Sequence, residues 1–391
     1  MTDNGFEDKE NENKETADFV EWCNNIANTM QFKELDKFLR ISDYPGKALP
    51  TKLWYYLEEQ YTHDFPAISN SDARKFFRNF FEAYKKKESK IYFDKNGYID
   101  LSKTLYLKQH LGYAGNHGFF TSGWYIFSDG NKYLSKIPLN YMSYQSDIED
   151  ENCIYNPIIA EGIAKKIGVD SAKYFIGMYR EGIFRVLSKN FLKSNDELIN
   201  FLKFNAFDYN ISDILEELES KLLLRKFPKE QIETIKFEFL KQEFLAKLIG
   251  LSDQKGDNSA LIFSVDEKEK KSVRLAPMYD YDFSFHMQKG KEFRSRESDN
   301  GQIDIASFIE QYRNYPGFLD FVKKSVETLN MEDVYEDIYK SKGLDFFKNH
   351  RENPVLTEEY TKFVNHNLDI VKNILKKIEK RKEKIAELYE Y

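Results

Sequence analysis

Apolar side chains at Phe19, Trp22, Cys23, Ile26, Met30, Leu35, Phe38 and Leu39 recur close to the 3.6-residue period of an amphipathic helix. Trp54, Tyr55 and Leu57 suggest a second helix after the turn Tyr44-Pro45-Gly46, and Phe76, Phe77, Phe80, Phe81 and Tyr84 place a third over residues 71–88. From Gly118 the period shortens to two. Trp124-Tyr125-Ile126-Phe127, the turn Ser128-Asp129-Gly130-Asn131 and a run from Lys132 to Ile137 read as a hairpin. Asn156-Pro157, a cap followed by proline at the first helical position, opens a helix that Gly168 closes. Strands over 172–179 and 183–188 flank Arg180-Glu181-Gly182, and residues 196–250 are expected to be helical. The last of those helices, 229–250, carries Phe237, Leu240, Phe244 and Leu248 on one face. Residues 260–265 and 272–275 then flank the charged turn 266–271 as a second hairpin. In the final helix Phe363, Val364, Leu368, Val371, Leu375 and Ile378 form a stripe that packs inward. Its basic run, Lys376 to Lys384, alternates with Glu379, Glu383 and Glu387 and reads as a solvated face.

Composition narrows the class. With 391 residues, 41% of them hydrophobic and 16% aromatic, the chain has material for a large core. Lys and Arg total 58 against 65 acids, a net charge of -7, so the overall field repels nucleic acid and no direct nucleic-acid partner is expected. Cys23 and Cys153 show no metal-ligand spacing and imply no disulfide framework. Residues 1–15 are polar and acid-rich, unlike a signal peptide, and are expected to be a disordered tail. No run of eighteen apolar residues occurs, so no membrane partner is expected and a cytoplasmic protein is the expectation. Export by a specialised secretion system would leave no readable mark in the chain.

Two segments carry the chemistry: Gly250-Leu251-Ser252-Asp253-Gln254-Lys255-Gly256-Asp257-Asn258, and Leu275-Ala276-Pro277-Met278-Tyr279-Asp280-Tyr281-Asp282. An attacking hydroxyl needs a carboxylate to orient it and take its proton, and phosphate charge needs magnesium held by oxygen ligands. Asp253 fits the base, with Asn258 and Asp280 as ligands. Asp282 lies two residues on and would share a side with Asp280 on an extended backbone, so either can be the principal ligand. Both hairpin ends fold back together, so the three groups can converge. His286 and Asp257 read as ordinary loop residues.

The wording around these acids, Phe244-Leu245-Ala246-Lys247-Leu248-Ile249-Gly250 into Asp253 and Asn258, then Leu275 through Asp280, resembles the catalytic loop and metal-binding segment of HipA-like serine/threonine kinases. The order of elements over residues 120–390 is similar. The resemblance implies an α+β, bilobal protein-kinase-like fold: a small mixed nucleotide-binding lobe over 111–191 and a mainly helical large lobe over 192–391. Residues 16–110 match no part of that family and their role is open. It implies ATP and Mg2+ as cofactors, a protein substrate phosphorylated on Ser or Thr, autophosphorylation with Ser122 as the candidate by position, and an antitoxin or other regulatory protein as a possible partner. Lys136 stands where the family has its nucleotide-binding lysine. Ser122 and Gly123 belong to a glycine-rich loop able to cover phosphates. Glu161 is the acid nearest to Lys136 on the following helix, either its partner or a solvated surface residue, and Leu187 and Ser188 fall in the expected link between lobes, where adenine would dock. One departure stands out: the family has Asp-Arg-His before its Asn, whereas Gln254 and Lys255 follow Asp253. Other readings are a lipid or small-molecule kinase, a nucleotide-binding pseudokinase acting as an interaction module, and a helical scaffold.

Overall fold

The computed structural model describes residues 91–101, 103–104, 106–110, 123–128, 130–136, 154–180, 183–193, 195–201, 210–251, 258–265, 269, 271–281, 284–285, 304–348 and 354–389. The helices expected over 16–40, around 54–57 and over 71–88 lie outside them, as do Ser122, Asp253, Gln254, Lys255, Asp257, Asp282 and His286. The architecture is α+β. Two compact units divide the chain, one of Met1–Tyr92 with Asp100–Leu134 and one of Phe93–Ile99 with Ser135–Tyr391; β1 (Ile99–Asp100) lies across the boundary.

In the first unit the aromatic alternation folds as its period demands. β2 (Tyr106–His110) pairs antiparallel with β3 (Gly123–Phe127), placing Tyr106 opposite Phe127 and Lys108 opposite Tyr125. Gly130, at φ 81, makes the turn into β4 (Lys132–Lys136), closed by the Phe127 N–H on the Asn131 carbonyl at 2.9 Å; Ser135 and Lys136, at the end of β4, belong to the second unit. Tyr106 stacks on Tyr125 and Phe127 lies against Tyr133, both with ring centroids 4.6 Å apart, so one face of the hairpin is an aromatic layer.

In the second unit α1 (Asn156–Ile167) is ended by Gly168 in the left-handed region, where the Val169 N–H reaches the Ala164 carbonyl. The cap expected at Asn156 is not made: Tyr155 precedes the helix and no side chain caps it. Asn156 is buried inside the first turn, donating to the Ser284 carbonyl and accepting from the Tyr360 hydroxyl. Two tertiary hydrogen bonds displace a local one that solvent could replace. β5 (Tyr174–Arg180) and β6 (Ile183–Lys189) form the expected antiparallel hairpin, Phe175 opposite Leu187.

Residues 196–200 depart from the helical expectation. They are β7 (Asp196–Asn200), the first strand of an antiparallel sheet ordered β7-β8-β9 with β8 (Ala260–Val265) and β9 (Lys271–Leu275). Five residues with two apolar positions carry no decisive period, and pairing with β8 decides the matter. Asp196 ties the sheet across its strands, accepting from Ser264 Oγ at 2.6 Å and from Arg274 at 3.2 Å. Burial pushes its carboxyl up, but Ser264, the Lys193 N–H and Arg274 outweigh that and hold it below the usual carboxylate range. The stability it adds is therefore present above the unfolded value of about 4 and is lost as pH falls through the lower folded value. In melts from pH 7 to pH 2.5, Asp196→Asn is expected to lower Tm at pH 7 and to lose less than the parent on acidification.

Helices complete this unit. α2 (Ile211–Leu224), α4 (Ile305–Tyr312) and α6 (Met331–Lys342) start on side-chain caps from Asn210, Asp304 and Asn330. α3 (Lys229–Leu248) buries Ile232, Ile235, Phe239, Leu240, Phe244, Leu245 and Leu248, so its apolar surface is wider than the stripe read from the sequence. α5 (Phe318–Thr328), the short α7 (Asp345–Lys348) and α8 (Pro354–Tyr389) follow. On α8 the side chains of Val364, Leu368, Val371, Leu375 and Ile378 are buried as expected. Its basic run is exposed, with Arg381 on Glu310 and Glu379 on Lys323. Among the described residues no helix is long and apolar enough to cross a membrane.

Candidate active site

Helix α3 fixes both chemical segments. Gln231 and Gln242 donate to the carbonyls of Val273 and Ala276, both at 2.8 Å, which sets where the chain leaves β9. The helix stops at Ile249, and Gly250 turns the chain at φ 62 while the Leu251 N–H returns to the Ala246 carbonyl. A Cβ on Gly250 would lie 2.4 Å from the Phe363 ring, so space and backbone both require glycine there.

β8 and β9 then bring the two segments to one end of their hairpin. The Ala276 N–H bonds the Ala260 carbonyl, so Asn258, two residues before Ala260, and Asp280, four after Ala276, leave the sheet on the same side. The Phe285 N–H bonds the Ile249 carbonyl at 2.9 Å, joining the exit of one segment to the entrance of the other.

Residues 278–281 are stitched to residues 170–174. The Met278 N–H donates to the Asp170 carbonyl and the Met278 carbonyl accepts from the Ala172 N–H, both at 2.9 Å. Tyr281, fully buried, donates to Ser171 Oγ, and burial pushes its hydroxyl far above the usual tyrosine range. Between these anchors Asp280 adopts φ 65, rare for a residue with a side chain, and its N–H donates to the Tyr174 hydroxyl at 2.9 Å. Its carboxylate accepts from Lys136 Nζ at 2.5 Å, a contact between positions 144 residues apart. The two side chains are 29% and 21% exposed, open enough for a ligand to reach.

Glu161 is held elsewhere. Its carboxylate takes the Tyr174 N–H at 2.8 Å and pairs with Lys342 at 3.0 Å, while Lys342 also donates to the Tyr174 carbonyl at 2.8 Å. Neither a pair with Lys136 nor a solvated surface position describes it, because the Tyr174 N–H at the start of β5 offers it a donor and Lys342 a counter-charge. Lys342 and Tyr174 carried no signal in the sequence; their contacts span up to 181 residues. Leu187 and Ser188, expected in the link between lobes, lie in β6 with Leu187 fully buried, and the segment that leaves the strand begins at Asn190. Beside it Phe191 lies against Tyr279 at 5.8 Å and joins a small apolar cluster around Ala260, Ile262 and Ala276. Gly123 is the first residue of β3, opposite His110.

Among the described residues no three His, Cys, Asp or Glu side chains gather as a metal site. Asp280 and Asn258 offer carboxylate and amide oxygens at the same end of the hairpin, a donor chemistry that suits magnesium.

No family model and no curated protein matches the chain. Solved structures do. A Helicobacter pylori proinflammatory kinase, CtkA, is similar over 64% of this chain and 90% of its own, at 17% identity and a TM-score of 0.45. A Shewanella oneidensis MR-1 toxin–antitoxin system, HipA and HipB with operator DNA, is similar over 75% of this chain and 69% of that one, at 13% identity and a TM-score of 0.38. Both similarities are remote, and the chemistry is read from this chain's own residues.

Proposed function

We propose that this protein transfers the γ-phosphoryl group of ATP, with magnesium, to a Ser or Thr hydroxyl of a protein, itself included. The observation that carries this reading is the contact of Lys136 with Asp280. A partly exposed ion pair contributes about 1 kcal/mol or less. A side chain held at positive φ costs about 1–2 kcal/mol. Stability alone does not account for keeping both in one place, whereas a phosphate site needs a cationic group and a carboxylate side by side.

In this structure each charge is met by the other. When nucleotide binds, Lys136 gains phosphate oxygens as partners and Asp280 becomes available, with Asn258, to hold a cation. Magnesium, when bound, offsets charge that builds on the phosphate oxygens. In the transfer, the hydroxyl oxygen bonds to the γ-phosphorus, the bond from that phosphorus to the ADP oxygen breaks, and the hydroxyl proton passes to Asp253. Lys136 stabilises the charge left on ADP. The connecting segment from Asn190, with Phe191 and Tyr279 beside it, is the proposed resting place of the adenine. Gln254 and Lys255, next to Asp253, would tune rate and substrate choice. A regulatory protein partner of antitoxin type is proposed on the sequence resemblance alone.

Thermal melting with a non-hydrolysable ATP analogue tests binding. At 100-fold excess over Kd, analogue and Mg2+ together are expected to stabilise the fold by about 2.7 kcal/mol. Lys136→Met should remove most of that shift. No shift for the parent protein at any analogue concentration would contradict the reading.

A further inference from the structure

Asp280 sits at φ 65, a left-handed backbone that Asp and Asn tolerate better than other side chains but that still costs energy, so its place depends on what holds it. Its N–H donates to the Tyr174 hydroxyl at 2.9 Å. Tyr174 is 3% exposed and is fixed at three points. Its N–H donates to Glu161, its carbonyl accepts from Lys342, and its ring leans on that of Tyr281, 5.6 Å away. Lys342 is only 11% exposed, lies 4.7 Å above the Phe175 ring and closes the loop by pairing with Glu161. The result is a strut running from α1 and α6 through the first residue of β5 to the backbone of Asp280.

We propose that Tyr174 is a positioning residue for the metal, and that the Glu161–Lys342 pair is its anchor. The hydroxyl keeps Asp280 in its left-handed turn, which keeps the carboxylate directed to the place where Lys136 now meets it. This rests on the functional reading above, because it assigns Asp280 to a cation. Tyr174 touches no reacting atom. Its removal should change how tightly metal is held, not how nucleotide alone is held.

Mn2+ binding followed by electron paramagnetic resonance, with and without a non-hydrolysable ATP analogue, separates those two effects. Tyr174→Phe keeps the ring packing and deletes the acceptor. It is expected to weaken Mn2+ binding in the presence of analogue about tenfold, the effect of one well-placed hydrogen bond. Metal-free binding of the analogue should stay within about twofold, and the Asp280 amide should lose its protection from hydrogen exchange. Should Tyr174→Phe fail to fold, Lys342→Met carries the test, with an expected loss of about threefold in Mn2+ affinity. Unchanged Mn2+ affinity in the folded variant overturns the proposal while leaving the functional reading in place. A parent protein that takes up no Mn2+ with the analogue removes both.

Discussion

Asp280→Asn is expected to lower the rate of phosphoryl transfer by at least about 10²–10³-fold, the range for losing one preorganised charge partner, while the protein stays folded. The substitution keeps size and, because asparagine tolerates the left-handed region, keeps the backbone at φ 65. What it removes is charge. Lys136 loses its counter-ion and a bound cation would lose its carboxylate at the same time. Lys136→Met should fall in the same range by a different route, leaving Asp280 able to hold metal but the phosphates without their cation. The two effects should not add, because both residues act on one charge distribution. Steady-state rates of the two single variants and the double variant check this. A double variant far slower than either single one would mean that Lys136 and Asp280 act independently.

Gly250→Val should be the most destabilising single substitution near the site. Its Cβ would overlap the Phe363 ring, and a β-branched residue resists φ 62. Overpacking of about 1–3 kcal/mol and backbone strain of about 1–2 kcal/mol together are a large share of a typical domain's stability. Because Gly250 is the hinge from α3 into residues 252–257, activity should be lost even at temperatures where the fold survives. Adding Phe363→Leu should recover the packing part and leave the backbone part. Denaturant melts of the three proteins measure each share; full recovery in the double variant would show that backbone strain is negligible.

Sequence periodicity revealed those elements whose period is unambiguous. The aromatic alternation of β3, the apolar runs of β5, β6, β8 and β9, and the stripe on α8 all fold as their patterns demand. β7 escaped because Asp196–Asn200 is too short to show a period, and it becomes a strand only by pairing with β8. Asn156 departs from its pattern for a similar reason: an Asn before Pro looks like a cap from its neighbours alone, and its partners Ser284 and Tyr360 lie 128 and 204 residues away.

The candidate site divides along the same line. Lys136 and Asp280 could be singled out by residue type and order, but their contact is a property of the fold. Nothing in the sequence marks Lys342, one lysine among many, as the partner of Glu161, or Tyr174 as the support of Asp280. Such roles arise when backbone groups near the end of a strand are met by side chains far away in sequence.

The most direct test is transfer itself. The full-length protein incubated with γ-labelled ATP and Mg2+, alone and with a protein substrate, then subjected to phosphoamino-acid analysis, should yield labelled phosphoserine or phosphothreonine. The label should disappear with EDTA, with Lys136→Met and with Asp280→Asn. Label that persists undiminished in both folded variants, or a folded parent protein that binds ATP and transfers nothing to any hydroxyl, would contradict the account.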